Sequence, residues 1–217
     1  MPEINLLDHL PKTKRNLKSR VEEKTKDDIE IAKRFDQEFF DGERKFGYGG
    51  YRYDGRWLPV AKRIIDYYNL ADDCMILDIG CAKGFLMYDF LYHLPGSKVR
   101  GIDVSSYAKE NAYGGMEQFI DIGSAESLPY KDNSFDLVIS INSIHNLPLN
   151  KCKQSILEIE RVSKKDKFIT VDAWYNEEEH KRLLDWILTA ETYMSVKDWI
   201  DLFDELGYNG DYWWFIP

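Results

Sequence analysis

The sequence predicts an α/β fold, a three-layer sandwich with helices on both faces of a mostly parallel, twisted sheet. Two observations carry this prediction. Between residues 74 and 174, short apolar runs alternate with helical patterns, which is typical of strands that are buried on both faces. The chain has 217 residues, of which 44% are hydrophobic, and this suits one sizeable core with an appendage.

Six short apolar runs predict the strands of this sheet. The first five are CMILDIG, KVRGIDV, EQFIDIG, SFDLVISIN and KFITVDAW, and helical patterns separate most of them. Two further helices are predicted at residues 177–190 and 195–206. Gly207 is typical of a helix end, and DYWWFIP after it predicts a last strand.

The first 55 residues are predicted to form an N-terminal helical arm that ends in an aromatic loop, and residues 56–217 a ligand-binding domain. Ile31, Phe35 and Phe39 are spaced four apart, which predicts one helix from about Asp27 to Gly42.

The loop FGYGGYRYDGRW, residues 46–57, combines glycines and aromatic rings with Arg52 and Arg56. One interpretation is a lid over a bound cofactor, with Tyr48 at the cofactor, Tyr51 at the second substrate and an arginine on a carboxylate. The other is a packed loop whose rings fill the seam between the arm and the sheet.

The composition restricts the class of partner and the compartment. The formal net charge of -9 disfavours a nucleic-acid partner, which needs a basic face. Cys74, Cys81 and Cys152 are an odd, widely spaced set, so neither a disulfide framework nor a metal site is expected, and the cytoplasm is the natural compartment. Neither a secretory signal nor a membrane span is predicted.

The segment ILDIGCAKGF, residues 76–85, is the central motif. A predicted strand ends in an acidic residue two positions before a turn of small residues, and a helix N-terminus with free N–H groups follows. Phe85 stands where a dinucleotide-binding G-x-G-x-x-G turn requires a small residue. Ligand contacts are predicted for Asp78, Gly80, Cys81, Ala82 and Gly84.

A second motif, GIDVS, places Asp103 and Val104 at the end of the second strand, about 20 residues beyond the glycine turn. A carboxylate there can accept hydrogen bonds from the two hydroxyls of a ribose, so a nucleoside-type ligand is expected. The alternative is a surface aspartate at a strand end.

With the segment IGSAESLPYKDNSFDLVIS, residues 122–140, these motifs resemble class I S-adenosylmethionine-dependent methyltransferases over residues 72–174. The resemblance implies that the glycine turn packs against the methionine part of the cofactor and that residues 124–126 lie along the adenine. Ser124 stands where the family often has aspartate, so backbone groups of Ser124 and Ala125, or the Glu126 side chain, are expected to replace that contact. It also implies the Rossmann-like strand order 3-2-1-4-5-7-6 with one antiparallel strand, the last strand being short or missing here.

The segment SINSIHNLP follows the fourth strand, so Asn142 and His145 are expected to face the ligand site. Three roles are open for His145: a base toward the methyl acceptor, a contact to the acceptor or cofactor, or a structural residue.

The predicted function is therefore transfer of a methyl group from S-adenosyl-L-methionine to an oxygen or nitrogen of a small-molecule acceptor, such as a sugar derivative or an amino compound. The alternatives are an NAD-dependent oxidoreductase and a non-catalytic adenosyl-binding protein. No metal and no nucleic-acid or membrane partner are expected, and both a monomer and a homodimer are compatible with the sequence.

Overall fold

The computed structural model describes residues 2–11 and 24–217, and helices and strands alternate over most of the second range. The predicted arm therefore lies partly outside the described residues. The helices are α1 (Lys26–Ala32), α2 (Gln37–Asp41), α3 (Leu58–Tyr68), α4 (Phe85–His93), α5 (Ser106–Glu110), α6 (Leu149–Val162), α7 (Glu177–Trp186) and α8 (Val196–Leu206). The strands are β1 (Met75–Ile79), β2 (Lys98–Asp103), β3 (Ile120–Ile122), β4 (Phe135–Ile141), β5 (Ser163–Trp174), β6 (Met194–Ser195) and β7 (Asp211–Phe215), with 3-10 turns at Tyr113–Phe119 and Ile144–Asn146.

The strands form one sheet in the order β3-β2-β1-β4-β5-β7, which confirms the predicted fold class. The short strand β6 bonds to β5 only at Ala173 and Trp174. All strand pairs among the described residues are parallel, so the expectation of one antiparallel strand is wrong. The last strand, β7, runs parallel to β5. The reason is α8, which separates β6 from β7. A helical crossover returns the chain to the same end of the sheet, whereas a tight hairpin would reverse it.

Helices cover both faces of the sheet. Helices α3 and α4 pack on one face, and α6 and α8 pack on the other. Successive residues of β4 alternate between the two cores, with Leu137 and Ile139 on the first face and Val138 on the second. Burial on both faces explains why the strands are nearly continuous apolar runs in the sequence.

The outer edge of β7 is covered by the N-terminus. The N–H of Ile4 donates to the carbonyl of Tyr212 at 2.9 Å, and Leu6 is completely buried beside α3 and α4. This pairing uses backbone groups that an open sheet edge would leave exposed.

Capping residues set the bounds of the C-terminal helices. The side chain of Asn176 accepts from the N–H of Glu179 at the start of α7, and Ser195 accepts from Asp198 at the start of α8. Gly207, with φ of 69°, ends α8 as predicted. Among the described residues, no helix combines the length and apolar character needed to cross a membrane.

The prediction of one helix from Asp27 to Gly42 is wrong, because the chain forms two short helices there. Phe35 adopts φ of 51° between α1 and α2, a left-handed conformation that is rare for a bulky residue. The next residue, Asp36, caps α2 by accepting from the N–H of Glu38 at 3.0 Å. The apolar residues spaced four apart are thus divided between two helices and the turn that joins them.

Candidate functional site

A cavity of about 380 Å³ opens at the carboxyl ends of the parallel strands. Strands β1, β2, β4 and β5 each contribute residues at these ends, where open α/β sheets bind their ligands. The segment 24–57, which we call the cap, closes one side, and residues 186–190 close another. The volume of the cavity lies in the usual range for small-molecule sites, roughly 300–1,000 Å³.

Most of the predicted site residues line this cavity. Those that line it are Tyr48, Gly80, Ala82, Asp103, Val104, Ser124, Ala125, Asn142 and His145. Those that lie outside its wall are Tyr51, Asp78, Cys81, Gly84 and Glu126.

The turn after β1 has little space for side chains. Gly80 has φ of 75°, and a Cβ atom built there would lie 2.0 Å from Oγ of Ser143. Cys81 is buried, and its Sγ occupies the space beside Gly101, while Gly84 caps α4 without a side chain. Glycine at position 80 thus lets the turn and the Ser143 loop meet at the cavity.

Asp103 is buried at the end of β2 and holds two backbone N–H groups. One carboxylate oxygen accepts from Ala82 at 2.8 Å and the other from Ser105 at 2.9 Å. Burial raises the pKa of Asp103, and these hydrogen bonds oppose that effect. Each oxygen keeps lone-pair capacity for a further donor, such as a ligand hydroxyl.

Asp78 is a second buried carboxyl group, just behind the glycine turn. Burial, together with the nearby charge of Asp103, raises the pKa of Asp78 to about 7. A carboxyl group in this state is partly protonated near neutral pH. A cationic ligand would favour its ionised form.

The segment after β3 presents its backbone to the cavity. Ser124 and Ala125 line the wall, while the carboxylate of Glu126 accepts from the Ser124 hydroxyl at 2.9 Å and pairs with Lys151 at 2.7 Å. Since the Glu126 side chain is engaged outside the wall, the backbone of residues 124 and 125 is the better placed of the two predicted replacements for the family aspartate.

His145 and Asp172 form a buried pair at the ends of β4 and β5, and both line the cavity. Nδ1 of His145 lies 3.4 Å from the backbone N–H of Asp172, and Nε2 lies 3.6 Å from its carboxylate. Burial lowers the pKa of His145, and the carboxylate of Asp172 opposes this shift. The imidazole is therefore neutral at neutral pH, with both nitrogens turned toward Asp172.

Asn142 stands in a left-handed conformation after β4, with φ of 50°. Its backbone N–H donates to the carbonyl of Thr170 at 3.0 Å, and the Thr170 hydroxyl donates to its Oδ1 at 2.9 Å. These bonds hold Asn142 at the cavity wall, as its position after the strand predicted.

The aromatic loop serves mainly as packing in this structure. Tyr51 stacks on Phe85 with centroids 4.6 Å apart, and Tyr53 stacks on Tyr113 at 4.0 Å. Tyr48 is the loop tyrosine that reaches the cavity wall. Burial raises the pKa of Tyr51 well above its usual value, so its hydroxyl stays protonated at neutral pH.

Lys83 fastens the cap to the glycine turn. Its buried ammonium group lies 2.5 Å from the carboxylate of Asp41 and 3.1 Å from the carbonyl of Tyr51. The same carboxylate accepts from the Tyr107 hydroxyl at 2.7 Å. The cap and the predicted cofactor turn are thus joined by one polar network.

The arginine at the cavity is not one of the two in the loop. Arg56 pairs with Asp54 at 2.6 Å, and neither Arg52 nor Arg56 lines the wall. Arg44 lines it instead, with its guanidinium 5.8 Å from the ring centre of Trp186.

The residues that complete the far side of the cavity were not predicted from the sequence. They include Phe35, Phe39, Phe40, Asn146, Asp172, Trp186, Leu188, Thr189 and Phe215. Asp172 could have been found, because it sits near the carboxyl end of a predicted parallel strand, as Asn142 and His145 do. Residues 186–190 carry no comparable signal. Within residues 2–11 and 24–217, no group of three His, Cys, Asp or Glu side chains is placed to hold a metal ion.

Comparison with known proteins shows that this chain is similar to methyltransferases. Residues 77–171 match the model of a family described as a methyltransferase domain. A curated relative from Arabidopsis thaliana, named tRNA (carboxymethyluridine(34)-5-O)-methyltransferase, is 29% identical over 67% of this chain. Norajmaline N-methyltransferase of Rauvolfia serpentina is 34% identical over 41% of the chain. The chain spans only 34% and 35% of the lengths of these two relatives.

The fold also occurs in solved structures. A structure of a putative methyltransferase from Bacillus halodurans superposes with a TM-score of 0.56 over 68% of each chain, at 19% identity. At this identity the likeness concerns the fold.

Proposed function

Since residues 77–171 match a methyltransferase domain, we propose that this chain is a class I S-adenosylmethionine-dependent methyltransferase and that it transfers a methyl group to an oxygen or nitrogen of a small-molecule acceptor. The observation that carries the proposal is the single cavity wall shared by the glycine turn, Asp103 and the His145–Asp172 pair. A cofactor site and a polar second site are thus continuous. We also propose the division into an arm with its loop, residues 1–55, and the domain 56–217.

The residues present fit S-adenosylmethionine. Gly80 makes room for the Ser143 side chain, so the turn meets the Ser143 loop at the cavity wall, and the oxygens of Asp103 can accept from ribose hydroxyls. Asp78 would become fully ionised beside a cationic ligand. When bound, the cofactor would supply an electrophilic methyl carbon on a sulfonium for transfer to the acceptor.

The remaining residues position the acceptor and exclude water. The aromatic side chains of the cap and of residues 186–190 supply a largely apolar wall, which suits a displacement that water would compete with. Asn142 and the His145–Asp172 pair supply the polar groups of that wall. Tyr51 contributes through the stacking of its ring on Phe85 and the hold of the cap.

A nucleic-acid acceptor is the alternative that the Arabidopsis relative raises through its name. The net charge of -9 and the cap over the cavity support a small acceptor instead. The three cysteines are free thiols, which supports a reducing compartment such as the cytoplasm.

Isothermal titration tests the cofactor assignment. S-adenosylmethionine and S-adenosylhomocysteine should bind with micromolar affinity and NAD should not, whereas binding of NAD alone would leave the oxidoreductase alternative. Fluorescence anisotropy with labelled tRNA at physiological salt tests the acceptor class. Tight tRNA binding would contradict the small-molecule proposal. Release of S-adenosylhomocysteine during incubation with a metabolite library separates an enzyme from a binding protein.

Replacing Asp78 with asparagine should remove part of the pH dependence of S-adenosylmethionine binding. The pKa of Asp78 is raised to about 7, so its carboxyl group is mostly protonated below pH 7. It must then lose that proton before it can attract the cationic ligand. We expect the wild type to bind about tenfold more tightly than D78N at pH 8, with the difference vanishing near pH 5.5. Titrations at both pH values measure the ratio.

The amino group of the ligand also titrates near this range, but it does so equally in both variants. The ratio of the two affinities therefore isolates Asp78. D78N should melt no lower than the wild type at pH 8, because an ionised buried carboxylate destabilises the ligand-free fold. A ratio that is constant between pH 5.5 and pH 8 would rule out this role.

Replacing Lys83 with methionine should speed the release of S-adenosylhomocysteine. The change removes the ammonium that joins Asp41 and the Tyr51 carbonyl to the glycine turn, so the cap opens more readily. The loss of one charged hydrogen-bond network predicts a dissociation rate about five- to tenfold higher in stopped-flow displacement.

Lys62→Met is the matched control for K83M. Lys62 pairs with Asp66 on the exposed surface of α3, remote from the cap network, and its loss should leave the dissociation rate unchanged. Equal dissociation rates for K83M and wild type would show that the cap is not held through Lys83.

A further inference from the structure

We propose that the methyl acceptor carries a neutral carbonyl oxygen, as an amide or a ketone does, and that the side-chain amides of Asn142 and Asn146 bind this oxygen. The inference rests on the proposed methyl transfer, and it names the chemical class of the acceptor at the same site. The hydrogen bonds of the loop that follows β4, residues 142–147, carry it.

This loop lies directly beside the glycine turn. Asn142, Ser143 and Asn146 all line the cavity. A Cβ atom built at Gly80 would lie 2.0 Å from the hydroxyl oxygen of Ser143, so the loop and the turn are in contact. A group bound by the loop would therefore be next to the part of the cofactor that the glycine turn is proposed to hold.

The amide of Asn146 has its oxygen engaged and its nitrogen oriented. Oδ1 accepts from the Thr189 hydroxyl at 2.8 Å, and Nδ2 donates to the carbonyl oxygen of Asn142 at 3.4 Å. Rotating the amide by half a turn would bring its oxygen against that carbonyl oxygen, so the two contacts fix which end is the donor. Within residues 2–11 and 24–217, the second N–H of Nδ2 has no hydrogen-bond partner.

The amide of Asn142 is held in the same way. The Thr170 hydroxyl accepts from the backbone N–H of Asn142 at 2.9 Å, and its single proton is donated to Oδ1 of Asn142 at 2.9 Å. Asn142 is an exposed residue of the cavity wall, and its Nδ2 makes no hydrogen bond to the described part of the chain. Both of its N–H groups are thus open to a ligand.

The backbone carbonyls of residues 142–145 are engaged within the protein. Their donors are Nδ2 of Asn146 and the backbone N–H groups of Asn146, Leu147, Glu191 and Thr192. Because these acceptors are used, the loop offers a ligand mainly donors. Such a surface matches a group that only accepts, and a carbonyl oxygen is such a group. An ammonium ion, which only donates, would find no match there.

The charge of the wall favours a neutral oxygen over a carboxylate. The charged side chains on the described wall are Asp103, Asp172 and Arg44, so its net charge is negative. Asp172 follows Thr170 by two positions on β5, and its side chain therefore lies on the same face as the hydroxyl that orients Asn142. A ligand carboxylate at the amides would be repelled by this negative charge, whereas a neutral carbonyl would not.

The test is isothermal titration of the protein saturated with S-adenosylhomocysteine. The probes are acetanilide, acetophenone and indanone, each paired with the compound that has a methylene group in place of the carbonyl: N-ethylaniline, ethylbenzene and indane. A cavity without donors would prefer the methylene compounds, because burial of an unpaired carbonyl costs free energy. At least one carbonyl compound should instead bind about fivefold or more tightly than its partner, as expected for one or two hydrogen bonds.

Asn142→Gly removes the amide without straining the backbone, because Asn142 has φ of 50°. It should lower the carbonyl preference about threefold or more. Asn69→Gly is the matched control: Asn69 has φ of 49° at the end of α3, outside the cavity, and its replacement should keep the preference.

Two further comparisons identify the source and charge of the bound oxygen. Methylthioadenosine lacks the carboxylate of S-adenosylhomocysteine, and the ratio of the affinities of these two ligands should be the same in N142G and in the wild type. A fall of that ratio in N142G would assign the amides to the cofactor and overturn the inference. Benzoate should bind more weakly than acetophenone, and the reverse order would show a carboxylate site.

The inference would also be overturned if the methylene compounds bind as tightly as the carbonyl compounds, if the preference is undiminished in N142G, or if no carbonyl compound binds. The wild-type comparison requires no variant, so it decides the question even if N142G fails to fold. If S-adenosylhomocysteine itself does not bind the wild type, the proposed function fails, and that outcome is distinct from the others.

Discussion

Asp103→Ala is expected to weaken binding of S-adenosylhomocysteine about 100-fold or more. The carboxylate holds the N–H groups of Ala82 and Ser105 and is the group proposed to accept from the ribose hydroxyls. Two charge-assisted hydrogen bonds account for a loss of this size. Isothermal titration measures it, with Asp121→Ala as the control, since Asp121 on β3 bonds to Tyr130 outside the cavity.

Loss of affinity alone would not separate a ribose contact from a distorted turn. Competition with adenosine and 2′,3′-dideoxyadenosine makes that distinction. The wild type should prefer adenosine about tenfold or more, and D103A should bind both nucleosides equally weakly. A preference for adenosine that persists in D103A would place the ribose hydroxyls elsewhere.

Gly80→Ala is expected to have the largest effect on stability and to abolish cofactor binding. Gly80 has φ of 75°, and a Cβ atom would meet the side chain of Ser143 at 2.0 Å. A left-handed alanine and an overpacked contact each cost about 1–3 kcal/mol. For a chain of this size the combined loss lowers Tm by about 5–15 °C, which calorimetry measures.

Two further variants separate the causes of this loss. Gly207 has φ of 69° with nothing within 4 Å of a built Cβ, so Gly207→Ala reports the conformational cost alone. The double variant Gly80→Ala with Ser143→Gly should recover the steric part of the loss. If G80A melts as G207A does, the Ser143 contact carries no steric cost.

The sheet was predictable because burial on both faces leaves a clear mark in the sequence. Strands β1, β2, β4 and β5 are apolar runs, and polar residues stand at or next to their carboxyl ends, at one edge of the sheet. These residues are Asp78, Asp103, Asn142 and Asp172. The direction of β7 was not predictable from its apolar pattern. Strand direction depends on whether a hairpin or a helix precedes the strand, and α8 is a helix.

In the cap, the local sequence pattern and the tertiary structure disagree. Ile31, Phe35 and Phe39 have helical spacing, yet Phe35 breaks the helix with φ of 51° and contributes to the cavity wall. Such a conformation persists when surrounding packing outweighs local propensity. The sequence left a lid and a packed loop open for the loop tyrosines. Their division between cavity wall and packing follows from contacts with Phe85 and Tyr113, residues remote in the sequence.

The sequence by itself predicted the fold class, the resemblance to class I methyltransferases and the strand ends at which a ligand site is expected, because periodicity and turn chemistry are local properties. The tertiary structure alone decided which side chains complete the cavity. It placed Phe35, Arg44, Trp186 and Phe215 on the same cavity wall as Asp172, and it turned Nδ1 of His145 toward the backbone N–H of Asp172 and Nε2 toward its carboxylate. Contacts between distant segments arise from how the layers pack, and that packing depends on the whole chain at once.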